Sequence, residues 1–346
     1  EVTRLAFGTG TDGGAVQAGL GQQEFTRLVR YAYDHGIRFF ETAEAYQTPA
    51  MLGEALKGLP RDSYHLMTKV TTFHEGIDPQ ANLNAVLAAI DQAKRAGADY
   101  VQTPEMTHVL ESKRDRLLAN IVTDDNDPTL ATLREVARKL SIYIHIGSLA
   151  IKASHEKAVN RSFLIDRKGD VVARYDKIHM FDVDLAGGES YRESNTYRAG
   201  ELAVVADLPW GRLGLTVCYD LRFPALYRAL AEAGASFLSI PSAFTRQTGE
   251  AHWHVLLRAR AIENGCFVFA AAQGGKHESG RETFGHSLII DPWGRILAEG
   301  GTEPGVVLAE IDPAEVAAAR AKIPSLNHGR RFELVEPMAE PTYLHA

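Results

Sequence analysis

The sequence predicts a layered α/β or α+β fold, and three observations carry that reading. The first 73 residues alternate strand, helix, strand, helix, strand. Two Asp-Pro pairs open amphipathic helices. Beyond residue 140, short apolar strands follow one another across polar turns, with further helices between them.

Taken in order, residues 4–8 read as a strand and 22–34 as a helix whose Phe25, Leu28, Val29 and Ala32 share a face. Gly36 separates that helix from a strand over 37–40, and a short helix over 51–57 and a strand over 65–73 follow. This is the order of a parallel sheet with crossover helices. A new phase begins at Asp78-Pro79, with Asp as N-cap and Pro at the first helical position. Leu83, Val86, Leu87 and Ile90 line one side of that helix, and Gly97 ends it before a strand over 100–103. Asp127-Pro128 opens a second such helix with Leu130, Leu133, Val136 and Leu140 as its stripe. Strands over 142–149, 161–166 and 170–175 come next. A strand over 211–218 leads into a helix over 224–233, then a strand over 237–240 and a helix over 251–264. Strands over 266–272, 285–290, 295–298 and 306–311 complete the pattern, and the Pro-punctuated tail reads as irregular.

The 346 residues are 45% hydrophobic and 23% charged, which supplies ample material for a core. That length suggests about two domains. Net charge is −7 with no long basic run, which argues against nucleic-acid binding. No apolar stretch reaches the ~20 residues of a membrane helix, and no signal-peptide pattern precedes the first strand. No membrane partner and a cytoplasmic location are therefore expected. The chain opens on Glu1 rather than Met, so its encoded start is expected upstream. Two cysteines, Cys218 and Cys266, exclude a disulfide scaffold and argue against a zinc cluster, so a metal-independent protein is expected.

Cys218 ends an apolar strand (Leu213, Leu215, Val217) and precedes Tyr219-Asp220-Leu221-Arg222-Phe223-Pro224, just ahead of a helix. A side chain on such a turn is exposed at a sheet edge, where backbone N–H groups can stabilise an anion. Cysteine is a strong nucleophile once deprotonated, and its thiol needs a base or a cation beside it. A buried structural cysteine is the competing reading. No histidine sits in a comparable loop. Thr103-Pro104-Glu105, however, puts a carboxylate at a strand end, and the segment 174–179 puts Lys177 just past another. A carboxylate to take the thiol proton, an ammonium for the oxyanion and a thiolate to attack make an amide-cleaving set. Taken singly, Glu105 and Lys177 also read as ordinary solvated charges. Cys266 reads as core, His252 and His254 as helix-start packing around Trp253, and His179 as hydrogen-bond support for Lys177.

From about residue 76 to 332 the sequence resembles the carbon–nitrogen hydrolase (nitrilase) superfamily. Residues 103–105 are similar to that family's base motif, 175–184 to its lysine motif and 215–224 to its nucleophile motif. Arg192-Glu193-Ser194-Asn195, Pro241-Ser242-Ala243-Phe244, the segments 249–253 and 257–263, and Gly285-His286-Ser287 resemble the branch of deaminated-glutathione amidases and ω-amidases. Ser-Ala-Phe and Arg-Glu-Ser-Asn favour the former. The resemblance implies a four-layer α-β-β-α sandwich, with Glu105 as general base, Lys177 as oxyanion-stabilising cation and Cys218 as the thioester nucleophile. It implies that Glu193 positions substrate or Lys177 and that the Tyr219 backbone N–H completes the oxyanion site. It further implies hydrolysis of a small primary amide, deaminated-glutathione-like or an ω-amide of a dicarboxylate, to carboxylate and ammonia. No cofactor is required, and a homodimer or higher homo-oligomer is expected. Lys177 is expected to lower the Cys218 pKa and to keep Glu105 ionised. Specificity is expected in 242–246 and the 185–195 loop. Ser242 and Phe244 are candidates there, with Arg192, Arg222 and Arg246 as guanidinium partners for a substrate carboxylate.

Residues 2–73 do not fit that family. The segments 5–10, 40–46, 52–56 and 67–69 are similar to the opening of the aldo-keto reductases, which are NADPH-dependent (β/α)₈ barrels. Tyr46 and Lys69 fall on that family's proton-donor tyrosine and lysine, while Glu41 stands where it carries aspartate. Three strands cannot close a barrel, and no segment offers the nucleotide phosphate site. An NADPH-dependent aldo-keto oxidoreductase is the alternative function, and a non-catalytic scaffold of the hydrolase fold the third. The chain is read as a reductase-like fragment over 1–64 and a hydrolase domain over 65–346, with the strand at 65–73 serving both.

Overall fold

The computed structural model describes residues 6–8, 15–43, 48–60, 63, 65–69, 79–185, 188–277 and 281–334. Strand β1 (Ala6–Gly8), helices α1 (Ala15–Ala18) and α2 (Gly21–Asp34), strand β2 (Phe39–Ala43), helix α3 (Pro49–Leu56) and strand β3 (His65–Lys69) form the N-terminal unit. Its sheet is open and parallel, in the order β1-β2-β3. Phe25 and Val29 of α2, with Leu52, Ala55 and Leu56 of α3, close over Phe40 as a core of their own. The side chains of Glu41 and Lys69, and Tyr46 altogether, lie outside the described residues.

The second unit follows with α4 (Pro79–Arg95), β4 (Tyr100–Gln102), α5 (Arg114–Asn120), α6 (Pro128–Leu140), β5 (Tyr143–Lys152), β6 (Ala158–Ile165) and β7 (Val171–Asp176). These four strands make one sheet in chain order. The Asp127 side chain accepts the Leu130 N–H at 2.8 Å and caps α6, a contact worth about 1 kcal/mol. Leu83, Val86 and Ile90 of α4, with Leu130 and Leu133 of α6, pack on the outer face against Ile144, Ile146 and Phe163.

Strands β8 (Asp182–Asp184) and β9 (Ser190–Arg192) form a small hairpin. The second large sheet takes β10 (Val204–Leu208), β11 (Gly211–Leu215), β12 (Ala235–Ser239) and β13 (Phe267–Ala270). Helix α7 (Pro224–Glu232) links β11 to β12, and α8 (Arg246–Asn264) links β12 to β13. After the hairpin β14 (Gly274–Lys276) and β15 (Glu282–Phe284) come β16 (Leu288–Ile290), β17 (Ile296–Glu299) and helix α9 (Ala314–Lys322). The sheet order is β10-β11-β12-β13-β16-β17. Tyr227 and Leu230 of α7, with Trp253 and Leu257 of α8, cover its outer face.

The inner faces of the two sheets meet through aromatics, with Tyr100 of β4 lying 5.6 Å from Phe269 of β13. The order is thus helices, sheet, sheet, helices, the four-layer sandwich. Because β5 is covered on both sides, eight consecutive residues are buried instead of every second one. Its buried His145 accommodates this by bonding Tyr100 Oη at 2.9 Å and Ser162 Oγ at 2.6 Å, and burial pushes its pKa down to about 3.

The structure bears on three expectations. Strand β3 ladders with β2, from His65 opposite Phe39 to Lys69 opposite Ala43. Among the described residues it joins no second sheet, and residues 70–73 of the expected strand lie outside them. Residues 306–311 form no strand despite their apolar, β-branched composition, because a strand exists only where a neighbour completes its ladder. The tail is not wholly irregular: the Ala-rich run after Pro313 forms α9, as its helix propensity allows.

Candidate active site

Three chain segments converge at one end of the sandwich. The first follows β4, where Thr103-Pro104-Glu105 turns away from the strand. Thr103 Oγ1 accepts the Gly147 N–H at 3.0 Å, and Ser148 takes the Met106 and Thr107 N–H groups at 2.9 and 2.8 Å. The β5–β6 register shifts between Ile146 and Leu149, so the irregularity that re-aims β5 is also the seat of the Glu105 loop. The second segment carries Lys177 one residue past β7, its N–H bonded to the Asn160 carbonyl at 2.9 Å. The third carries Cys218 three residues past the end of β11, at the head of a 3₁₀ turn over Cys218–Arg222. Cys218 adopts φ +50°, a left-handed conformation that costs a non-glycine residue about 1–3 kcal/mol and marks a constrained site.

These side chains meet. Lys177 Nζ lies 3.1 Å from Glu105 Oε1, and 3.0 and 2.8 Å from the two oxygens of Glu193. Asn160 Nδ2 donates to Glu105 at 2.8 Å and to Glu193 at 3.3 Å, tying both carboxylates to β6. Glu105 Oε2 accepts the Ala243 N–H at 2.9 Å, and Glu193 Oε2 accepts the Phe181 N–H at 2.7 Å. Cys218 lines the same cleft, within reach of the Glu105 and Lys177 charges. Lys177, Glu105 and Cys218 are all buried.

The electrostatics differ from expectation at the sulfur. Burial, then the Glu105 charge, push the Cys218 thiol well up, and Lys177 opposes this only in part. The reason is that two carboxylates already engage the ammonium, so little of its field is left for a thiolate. Burial tends to raise the Glu105 pKa, but Lys177, the neighbouring Cys218 and the hydrogen bond from Asn160 outweigh it and hold the carboxyl below its usual range. Lys177 is held well above the usual ammonium range: burial works against its charge, and the Glu105 and Glu193 charges prevail. The resting state is therefore carboxylate, ammonium and neutral thiol.

A fully buried carboxylate that the sequence reading passed over braces this arrangement. Asp220 accepts the Val217 N–H at 2.8 Å, the Tyr175 hydroxyl at 2.6 Å and the His179 backbone N–H at 3.0 Å, and pairs with His179 Nδ1 at 2.7 Å. It joins the nucleophile turn to the lysine loop. His179 thus supports Asp220 rather than Lys177, and its ring stacks on Phe223 at 3.5 Å.

The cluster forms the base of a cleft of about 330 Å³. Glu105, Lys177, Glu193, Cys218, Tyr219, Arg192 and Phe244 all line it, as sequence reasoning anticipated. Arg222, Ser242 and Arg246 do not. Arg222 bonds His252 and lies over the Phe244 ring, the Ser242 hydroxyl donates to the Ile240 carbonyl, and exposed Arg246 pairs with Glu250 and Glu282. His252 and His254 sit inside α8 rather than at its start. Cys266 is buried core, as expected. Arg114, Tyr197 and Arg281 line the cleft unforeseen, because nothing in their local sequence distinguishes them from surface residues.

With the geometry in hand, the chain can be set beside known proteins. The carbon-nitrogen hydrolase family model matches residues 74–321. The aldo/keto reductase family model matches residues 4–109. Over 265 residues the chain is 42% identical to the deaminated glutathione amidase of Yersinia enterocolitica, covering 76% of this chain and 92% of that one. Saccharomyces cerevisiae Nit3, a member of branch 10 of the nitrilase superfamily, superposes with a TM-score of 0.68 at 29% identity, over 76% of this chain and 95% of Nit3. An amidase from Nesterenkonia sp. AN1, in a structure with acrylamide added to its active site cysteine, superposes with a TM-score of 0.62 at 28% identity, over 73% and 95% of the two chains. The chain belongs to the carbon–nitrogen hydrolase family.

The seating of the Glu105 loop predicts a sensitive glycine. A Cβ on Gly147 would lie 2.1 Å from the Thr103 carbonyl oxygen and 2.6 Å from Pro241 Cβ. Gly147→Ala is expected to lower stability by roughly 1–3 kcal/mol, read as a fall in the denaturant midpoint. An unchanged midpoint would mean that the loop is not seated on β5.

Proposed function

We propose that this chain hydrolyses a small primary amide, of deaminated-glutathione type or an ω-amide of a dicarboxylate, through a thioester on Cys218. The observation that carries the reading is a cysteine brought into one cleft with a carboxylate that is itself paired with a buried ammonium. Family membership and the amidases among its relatives support it further.

Glu105 takes the thiol proton as Sγ attacks the amide carbon. A neutral resting thiol makes that base indispensable. Lys177 and the Tyr219 N–H stabilise the oxyanion, and Glu193 holds Lys177 in line. Glu105 then passes its proton to the leaving nitrogen, the C–N bond breaks and ammonia departs. Water attacks the thioester with Glu105 again as base, and the carboxylate product leaves as the proton returns to sulfur. Phe244 packs the substrate's apolar part, and Arg192, with Arg114 and Arg281, offers positive charge for a carboxylate-bearing tail.

The reading extends to the chain's organisation. We assign the seam between reductase-like fragment and hydrolase unit to the stretch between Lys69 and Pro79, supported by the β2–β3 ladder and by a family match that begins at 74. A cytoplasmic location is supported by two unpaired, buried cysteines; no helix among the described residues is long and apolar enough to cross a membrane. A homodimer is supported by the outer face of α8, where Val255 and Ile262 are exposed beside the Trp293 turn and Leu297.

Ammonia release from small ω-amides tests the chemistry. Cys218→Ala is expected to reduce it by more than about 10³-fold, and Tyr46→Phe to leave it unchanged. NADPH-dependent aldehyde reduction that survives Cys218→Ala would favour the oxidoreductase reading instead. Light scattering tests the assembly: Val255→Glu with Ile262→Glu is expected to convert a dimer to a monomer, and a dimer that persists would exclude this face.

A further inference from the structure

We propose that His254, His286 and Glu299 form a binding site for a zinc-class divalent cation, separate from the amide-cleaving cleft. His254 Nε2 and His286 Nδ1 each lie 2.9 Å from the same oxygen, Glu299 Oε1. One donor atom from each of the three residues falls within 4.8 Å of the others. The residues come from three different elements, namely α8, the turn before β16 and the end of β17, so they are neighbours only in the fold.

The donors are aimed in advance. The Phe284 ring stacks on His286 at 4.4 Å and meets His254 edge-on at 5.9 Å, which limits rotation of both imidazoles. The backbone of His286 is fixed as well. It adopts φ +54°, its carbonyl accepts the Trp253 indole N–H at 2.8 Å, and its own N–H bonds Gly301 at 2.9 Å. Glu299 sits opposite Leu288 in the β16–β17 ladder.

Two imidazole nitrogens and one carboxylate oxygen are the donor set of a borderline cation such as Zn²⁺, with water as the fourth ligand. Tetrahedral ligation at about 2.0–2.1 Å separates donors by roughly 3.3 Å, so the two 2.9 Å contacts to Glu299 open by a few tenths, while the two imidazole nitrogens already lie within 4.8 Å of each other. All three residues are partly exposed, which leaves an entry path. The bound cation would pin α8 to the β16–β17 hairpin. No step of amide cleavage involves it.

The test uses the full chain after EDTA treatment and dialysis, with Zn²⁺ alone as the probe. Calorimetry is expected to give one saturable site per chain, with a rise in Tm on saturation. His254→Gln and Glu299→Gln are each expected to weaken binding by at least about tenfold while zinc-free ammonia release stays at the wild-type level. Cys218→Ala is expected to bind zinc like wild type, and Co²⁺ in place of zinc to give d–d bands without a thiolate charge-transfer band. No saturable binding at millimolar zinc, undiminished binding in the His254→Gln and Glu299→Gln variants, or binding lost in Cys218→Ala would each overturn the proposal.

Discussion

One buried ammonium pairs with both carboxylates at the heart of the cleft. Lys177 is almost completely out of water, and it sits between two carboxylates from segments that are distant in the chain. Removing one partner from a buried ion pair typically costs about 3–5 kcal/mol, because the charge left behind has neither water nor a counter-ion. Glu105 and Lys177 therefore hold each other in their ionised forms, Glu193 engages the same ammonium, and Asn160 bridges the two acids from β6. The neutral state of Cys218 follows first from its burial and then from the same balance. A third anion beside two carboxylates sharing one cation is unfavourable, so the sulfur keeps its proton until a base removes it.

The sandwich exists to bring those groups together. Strand β4 delivers Glu105, β7 delivers Lys177 and β11 delivers Cys218, each at or just beyond a strand end. Because two sheets contribute, the cleft needs their packing as much as their local turns. Asp220 illustrates the coupling. It is a fully buried acid whose four partners come from the nucleophile turn and the lysine loop, and it locks the two segments in register.

Much of this was legible in the sequence, and the failures have physical causes. Strand-then-charge patterns identified Glu105 and Lys177, and Asp127-Pro128 announced α6 through its capping chemistry. The segment 306–311 was misread because composition states a preference for the extended chain but not whether a partner strand is there to satisfy it. The direction of the Cys218 shift was misjudged because it depends first on burial and then on the nearness of the Glu105 charge, both visible only in three dimensions. Arg222 and Arg246 sit near the right motifs, yet the first is drawn to His252 and aromatic rings and the second to Glu250 and Glu282. Arg281 and Asn160 carried no local signal. At the N-terminus the reductase-like pattern did predict a parallel β-α-β unit, and the structure gives it a core of its own around Phe40.

The central claim is covalent chemistry at one sulfur, and mass spectrometry of peptides from acid-quenched turnover addresses it most directly. At saturating amide, the account predicts an acyl mass on the peptide bearing Cys218, removed by hydroxylamine as a thioester would be. Turnover that leaves the Cys218 peptide unmodified while Cys266 carries the label, or that leaves neither labelled, would contradict it.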